Sequence, residues 1–425
     1  MSVEFAALLS LFAVLLVCGT PIAVAIGLPS AAYIFLRGWP PELIMQRLFN
    51  GMDQFLLLAV PLFMLAGELM NSGGLTTRLV NLSQALVGHI RGSLAMVNLS
   101  TNMLMAGISG SAIGDASAVG SLLIPKMAER GYPRAFAAAV TAAGSIVGPI
   151  IPPSVVFILY AVLAGASVID LFLAGIVPGI LIIVMQMTLV YFIARRRGFP
   201  VEERFVARRV AVTGVQALPV LVLPVIIVGG IRVGAFTATE GAAAAVAFAL
   251  MLGLAFRALG VKSIGRCALE VGQGIGEILL LIGAASILSF ILVAEKIPQS
   301  LTEGMLSLTD DPIVIILIVN ITLLVVGMFL DGFAALIIFV PILLPLAKVA
   351  GFDPIHFGVV IVTNIMIGII TPPLGICLFV TSRIAGVPLN ESVREILPFI
   401  VTSIIALLVI TYIPAISLTL PHMLR

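Results

Sequence analysis

Long apolar stretches alternate with short polar ones along almost the whole chain. Runs long enough to cross or re-enter a bilayer fall near 4–36, 52–70, 93–128, 134–165 and 171–194. After a polar segment they resume near 214–232, 236–256, 272–294, 312–345, 355–382 and 395–421. Such runs predict membrane-embedded helices, with 4–36 as an uncleaved first span, since Ser2-Val3-Glu4 carries no basic leader. Two runs in each half are interrupted. Gly107-Ile108-Ser109-Gly110-Ser111-Ala112-Ile113-Gly114-Asp115-Ala116-Ser117 is a polar, glycine-rich break inside 93–128, and Gly327-Met328-Phe329-Leu330-Asp331-Gly332 lies inside 312–345. Each predicts a helical hairpin that enters the membrane partway and turns back, its second arm ending at Ile124-Pro125 or Leu344-Pro345. Gly148-Pro149-Ile150-Ile151-Pro152-Pro153 and Gly368-Ile369-Ile370-Thr371-Pro372-Pro373 interrupt 134–165 and 355–382. Proline removes a backbone donor and frees the carbonyl four residues earlier, so these helices are expected to break there.

The interruptions repeat at a fixed offset. Sliding the sequence by 220 lays Gly107 on Gly327, Pro125 on Pro345, Gly131 on Gly351, Gly148 on Gly368, Pro152-Pro153 on Pro372-Pro373 and Pro178 on Pro398. Glycine and proline dictate backbone geometry, so the copies share helix breaks more than side-chain chemistry. The expected organisation is a first repeat over 1–194, a basic linker over 195–213 and a second repeat over 214–425.

Composition narrows the class. The chain is 61% hydrophobic and 10% charged, against about 25% charged in soluble domains. That points to an all-α polytopic membrane protein, in contact with a lipid bilayer throughout. A net charge of +2 gives no footprint for nucleic acid. Cys18, Cys267 and Cys377 are far apart in apolar sequence and predict buried inert thiols. The linker holds Arg195, Arg196, Arg197, Arg204, Arg208 and Arg209 against Glu202 and Glu203, which places it on the cytoplasmic side. Loop 126–134 is basic where its partner 346–354 is not, and the bias reverses between 165–170 and 383–394. Opposite bias at equivalent loops predicts an inverted-topology repeat with re-entrant hairpins and broken helices.

Backbone left unpaired at membrane depth is tolerated where it is buried in protein or lines a cavity. Freed carbonyls beside Asp115 and Asp331 would make oxygen-only cages, which hard cations such as Na⁺ prefer, with half-helix N-termini nearby to attract a carboxylate. The acids differ in register, because Asp115 matches Ala335 and Asp331 matches Ser111. Other readings compete with this one. A single Pro-Pro pair is explained as a kink, and a single acid as a helix cap. Glu68, Glu240 and Glu277 read as structural. His89, His356 and His422 share no ligand spacing, which argues against a histidine relay. Gly107-Ile108-Ser109-Gly110 fits the G-x-S-G of an intramembrane serine protease with His356 as base, a short match in a chain rich in Gly and Ser.

At these residues the chain resembles the large membrane subunit of tripartite ATP-independent periplasmic (TRAP) transporters. The matching stretches are AVPLFMLAGELMNSGGL (59–75), GISGSAIGDASAVGSLLIPKM (107–127), GYPRAFAAAVTAAGSIVGPIIPPS (131–154), FTATEGAAAAVAFAL (236–250), FLDGFAALIIFVPILLP (329–345) and DPIHFGVVIVTNIMIGIITPPLGICLFV (353–380). The resemblance implies Na⁺-coupled uptake of an organic acid, such as a dicarboxylate, across the bacterial inner membrane. It implies an elevator-type fold like that of the ion-transporter superfamily, no enzymatic activity and no cofactor beyond the coupling ion. It further implies a periplasmic substrate-binding protein and a small four-helix membrane subunit. No extra spans precede Met1, so that subunit is expected as a separate chain. Carried over residue by residue, one ion site would use Ser109, Asp115 and backbone at Gly148, Ile151 and Pro153. The other would use Asp331, Thr371 and backbone at Gly368 and Leu374. Ser111, Ser145 and Asn364, which lie near these sites in the sequence pattern, are the expected substrate contacts. The alternative is a stand-alone divalent-anion symporter of similar architecture.

Overall fold

A computed structural model describes residues 3–201 and 204–424. Ser2, Glu202 and Glu203 lie outside the described residues. The first half runs α1 (Val3–Val17), α2 (Ile22–Leu36), α3 (Glu42–Met52), α4 (Ala59–Ser72), α5 (Leu75–Val87), α6 (Ser93–Ser109), α7 (Ala112–Glu129), α8 (Arg134–Ser145), α9 (Val155–Ala164) and α10 (Val168–Arg197). The second runs α11 (Ala207–Arg232), α12 (Ala238–Ala255), α13 (Val261–Ala294), α14 (Ile297–Leu308), α15 (Pro312–Gly327), α16 (Gly332–Val349), α17 (Pro354–Gly368), α18 (Ile376–Ala385), α19 (Leu389–Tyr412) and α20 (Ala415–Met423). No strand occurs among the described residues.

Seven of these helices are long and apolar enough to cross a membrane: Phe55–Ser72 (a 3₁₀ turn running into α4), α10, α11, α12, α13, α16 and α19. Several stay apolar on their outer faces. Val215 and Val225 of α11 are 71% and 70% exposed, as suits helices solvated by lipid rather than water. The protein is therefore an all-α polytopic membrane fold.

The offset of 220 carries helix ends onto helix ends. Adding it to 112–129 of α7 gives 332–349, the bounds of α16, and adding it to 155–164 of α9 gives 375–384 against 376–385 for α18. Packing between the halves is reciprocal: α7 packs on α18 as α16 packs on α9, α8 on α19 as α17 on α10, and α4 on α12 as α13 on α2. Such exchange of equivalent partners is what a pseudo-twofold relation between duplicated units produces.

Local chemistry sets where the helices stop. Ser111, Ser154 and Ser167 cap α7, α9 and α10 by accepting from backbone N–H groups three residues on. Gly110, Gly165 and Gly198 end α6, α9 and α10 in the left-handed region that favours glycine. Both hairpins form, α6–α7 and α15–α16, and both broken helices part at their proline pairs, α8 from α9 and α17 from α18.

The structure departs from the sequence reading at four places. Residues 4–36 form two short helices, because Gly19 at φ +74° and Pro21 turn the chain and fold α1 back against α2. The second hairpin arms do not end at Pro125 or Pro345. Each proline lies late inside its helix, at the cost of one ladder hydrogen bond, and the helix continues to Glu129 or Val349. Much of 195–213 is helical, since α10 runs through Arg197 and α11 begins at Ala207. Cys18 is exposed at the α1–α2 turn, whereas Cys267 and Cys377 are buried.

Candidate functional site

Ser109 ends the first hairpin arm and Asp115 sits one turn into the second. The tight turn at Gly110, φ +58°, brings them together, so that Ser109 Oγ donates to Asp115 Oδ1 at 2.5 Å. Asp115 is fully buried, and among the described residues its Oδ2 has no hydrogen-bond partner. That second oxygen lies against the backbone of Gly148, where an added Cβ would stand 2.6 Å from it. Gly110 touches the same break from the other side, since its Cβ would stand 2.7 Å from the Pro153 carbonyl oxygen. Among the described residues the carbonyls of Gly148, Ile151 and Pro153 accept no backbone hydrogen bond. Pro149 O differs, because Ser154 Oγ donates to it. Of the first set of predicted residues, Ser109 and Gly148 lie directly against the buried carboxylate, and Pro153 meets the same hairpin turn at Gly110. Ile151 is the set's outermost member, its side chain packed toward Gly179.

The second hairpin is built differently. Asp331 is the N-cap of α16, and its Oδ1 accepts from Phe333 N at 2.8 Å and Ala334 N at 3.2 Å. Ser111 is the N-cap of α7, so the register mismatch has a simple origin: equivalent caps, one of them acidic. At the break, Gly327 and Gly368 meet backbone to backbone, with a Cβ on Gly368 falling 2.5 Å from Gly327 Cα. Gly368 O accepts from Thr371 N at 2.9 Å, and Thr371 Oγ1 donates to Ile367 O at 2.7 Å. The Leu374 carbonyl accepts no backbone bond among the described residues, while its side chain is exposed. The proline pairs Pro152–Pro153 and Pro372–Pro373 are both cis.

The two tips face each other. A cavity of about 70 Å³ between them is lined by Gly110, Ser111 and Pro149 from the first half and by Asp331, Gly332 and Ile369 from the second. Of the three residues expected to touch substrate, Ser111 lies here. Ser145 and Asn364 do not line this cavity, and both are fully buried. Ser145 Oγ donates to Ala142 O, and Asn364 Nδ2 donates to Asn320 Oδ1 at 2.8 Å, fastening α17 to α15. Asn98 fastens α6 to α8 in the same way through Thr141 Oγ1 at 2.7 Å.

Comparisons with known proteins bear on the family and the fold. The sequence profile of the tripartite ATP-independent periplasmic transporter, DctM component, matches residues 9–416. The chain belongs to this family. It is 38% identical over 411 residues to the sialic acid TRAP transporter large permease protein SiaM of Vibrio cholerae, covering 96% of both chains. It is 39% identical over 379 residues to the C4-dicarboxylate TRAP transporter large permease protein DctM of Pseudomonas aeruginosa, covering 89% of both. The fold is shared with the YdaH transporter of Alcanivorax borkumensis, at a TM-score of 0.65 and 13% identity over 89% of this chain and 88% of that one.

A TRAP large permease subunit is a transporter component and not an enzyme. The protease reading also fails on geometry. Ser109 Oγ is engaged with Asp115, while the His356 ring nitrogens contact Ser417 Oγ at 2.8 Å and Thr411 O at 3.2 Å. Sequence reasoning missed one wall of the site around Asp115. Glu68 and Asn71 of α4 and Glu270 of α13 line a cavity of about 150 Å³ together with Ser109, Ser111 and Asp115. Glu68, read from the sequence as structural, thus lines the same cavity as the buried carboxylate. The backbone seat beside it is Gly67, whose added Cβ would lie 3.1 Å from Ser109 Cα.

Proposed function

We propose that the chain is the large permease subunit of a Na⁺-coupled TRAP system of the bacterial inner membrane. Its cargo is an organic acid handed over by a periplasmic binding protein, and a small four-helix membrane subunit completes it. The observation that carries this reading is Asp115: a buried carboxylate with one oxygen unpartnered, facing the unpaired carbonyls of the Gly148–Pro153 break. A carboxylate left so in the interior costs several kcal/mol unless a cation or proton joins it. Oxygen donors in a tight backbone cradle favour a hard ion, and Na⁺ meets that description. The names of the relatives, sialic acid in one and C4-dicarboxylate in another, support an anionic organic cargo. The tip cavity between the halves is where its carboxylate would sit, near the N-terminus of α16.

The second ion would lie at Asp331, with Thr371 and the backbone of Gly368 and Leu374. Asp331 has one oxygen committed to capping, so this site relies on the other and on rearrangement of Thr371. The reversed loop charges support opposite membrane orientation of the two halves, with the segment around Arg195–Arg209 on the cytoplasmic side. In an elevator-type cycle the hairpins and broken helices move together as the loaded unit.

Thermal unfolding of the purified chain in NaCl against choline chloride tests the reading. A ligand bound only by the folded state adds about 2.7 kcal/mol at a hundred times its Kd. A Na⁺-specific rise that shrinks in Asp115→Asn and again in Asp331→Asn is expected. Equal stability in both salts for the unaltered chain would remove the physical basis of Na⁺ coupling.

A further inference from the structure

A second cavity, of about 640 Å³, lies between α3, α13, α9 and α16. It shares one stretch of wall with the acidic cavity at Asp115 under the same offset: Glu270 and Val271 of that one map onto Asn50 and Gly51 of this one, and Arg47 is the equivalent of Cys267, one turn away on the same helix. The two cavities differ in charge. Where one cavity carries Glu68, Glu270 and Asp115, the other carries Arg47 with Asn50, Gln54, Ser286 and Ser289, and no carboxylate lines it.

Arg47 is positioned for an incoming anion. Its guanidinium carbon lies over the Phe290 ring, 4.2 Å from the centre, a contact that engages the face of the group and not its N–H donors. Among the described residues no acceptor pairs with it. A planar, half-buried guanidinium of this kind recognises carboxylate or phosphate oxygens in pairs. The remaining wall is apolar, with Val162 and Leu163 from α9 and Ile337 and Pro341 from α16. A volume of several hundred Å³, mostly apolar with a few convergent polar groups, is that of a small-molecule site.

We propose that this cavity binds an organic oxyanion on Arg47, separately from the tip cavity, and that its occupant is the carboxylate of a small organic acid. The choice of occupant rests on the organic-acid reading above; the anion preference rests on the geometry alone. The cavity touches both α13, a membrane-crossing helix, and the outer arm of the second hairpin. An acid held there would lie outside the hairpin tips, against the arm leading to them.

Ser289→Cys, in a chain with Cys18 and Cys267 replaced by Ser and Ala, gives a reporter on the wall. Labelling is followed in phosphatidylcholine vesicles without Na⁺, so that the outcome does not depend on ion coupling. The reagents are the anionic methanethiosulfonate ethylsulfonate and its cationic trimethylammonium counterpart. One unpaired positive charge within several ångströms should favour the anionic reagent, and Arg47→Gln should lower the anionic-to-cationic rate ratio at least about tenfold. Arg47→Lys, which keeps the charge, should largely retain the ratio and controls for folding. Succinate, used as the carboxylate probe, should slow labelling when Arg47 is present and leave it unchanged in Arg47→Gln. A ratio unchanged in Arg47→Gln overturns the anion site. Protection by added phosphatidylglycerol, with none from succinate, assigns the oxyanion to a lipid headgroup and overturns the organic acid as occupant.

Discussion

Asp115 spends one oxygen on Ser109 and turns the other to a glycine. The contact at Gly148 is side chain against backbone, so the absence of a Cβ there is a requirement of the site rather than of the turn. Gly148→Ala is expected to push Asp115 off Ser109 and to destabilise the chain by about 1–3 kcal/mol through overpacking. The Na⁺-specific part of the thermal shift should vanish at the same time. Retention of that shift in Gly148→Ala would mean the cation binds elsewhere. Asp331 is a different case, because its charge and its cap are separable. Asparagine caps as well as aspartate, so Asp331→Asn should leave stability in choline chloride nearly unchanged, whereas Asp331→Ala should lose about 1 kcal/mol from the missing cap. If both variants lose stability equally, the carboxylate charge itself holds the fold.

Among the elements, the hairpins and broken helices were the legible ones. Their breaks are written in Gly110, Pro152-Pro153 and Pro372-Pro373, residues whose backbone preferences act locally and need no partner to be read. The two halves of 4–36 were not legible as separate helices, because apolar residues run continuously across Gly19-Thr20-Pro21 and mask the turn. The hairpin arms that pass through Pro125 and Pro345 were misjudged for the converse reason: a late proline removes one bond, and packing against α18 or α9 holds the helix beyond it. The cavity beside Asp115 lay beyond a linear reading altogether. Glu68 and Glu270 are brought together by α4 packing on α13, across two hundred residues of chain, and no periodicity marks such a meeting.

For the whole molecule, the reciprocal packing means that each half completes the other. The proposed ion sites sit in different halves, and the two hairpin tips that carry them meet across one cavity, so filling one should favour filling the other. Uptake by the complete three-part system is expected to depend on Na⁺ with a Hill coefficient above 1, at most about 2 for two sites. It should fall to about 1 in Asp331→Asn. A hyperbolic dependence in the unaltered system would leave a single coupling ion. Gly67 has a bearing on how fast such a system can run. It offers the first hairpin tip a bare stretch of main chain, with no side chain to interlock, at the place where α4 meets Ser109. Interlocked side chains must unmesh before two helices slide, whereas a smooth contact yields with little resistance. Adding one methyl, Gly67→Ala, puts a tooth on that surface. The turnover rate should drop while the Na⁺-dependent thermal shift survives, separating the friction of the journey from the affinity of the load.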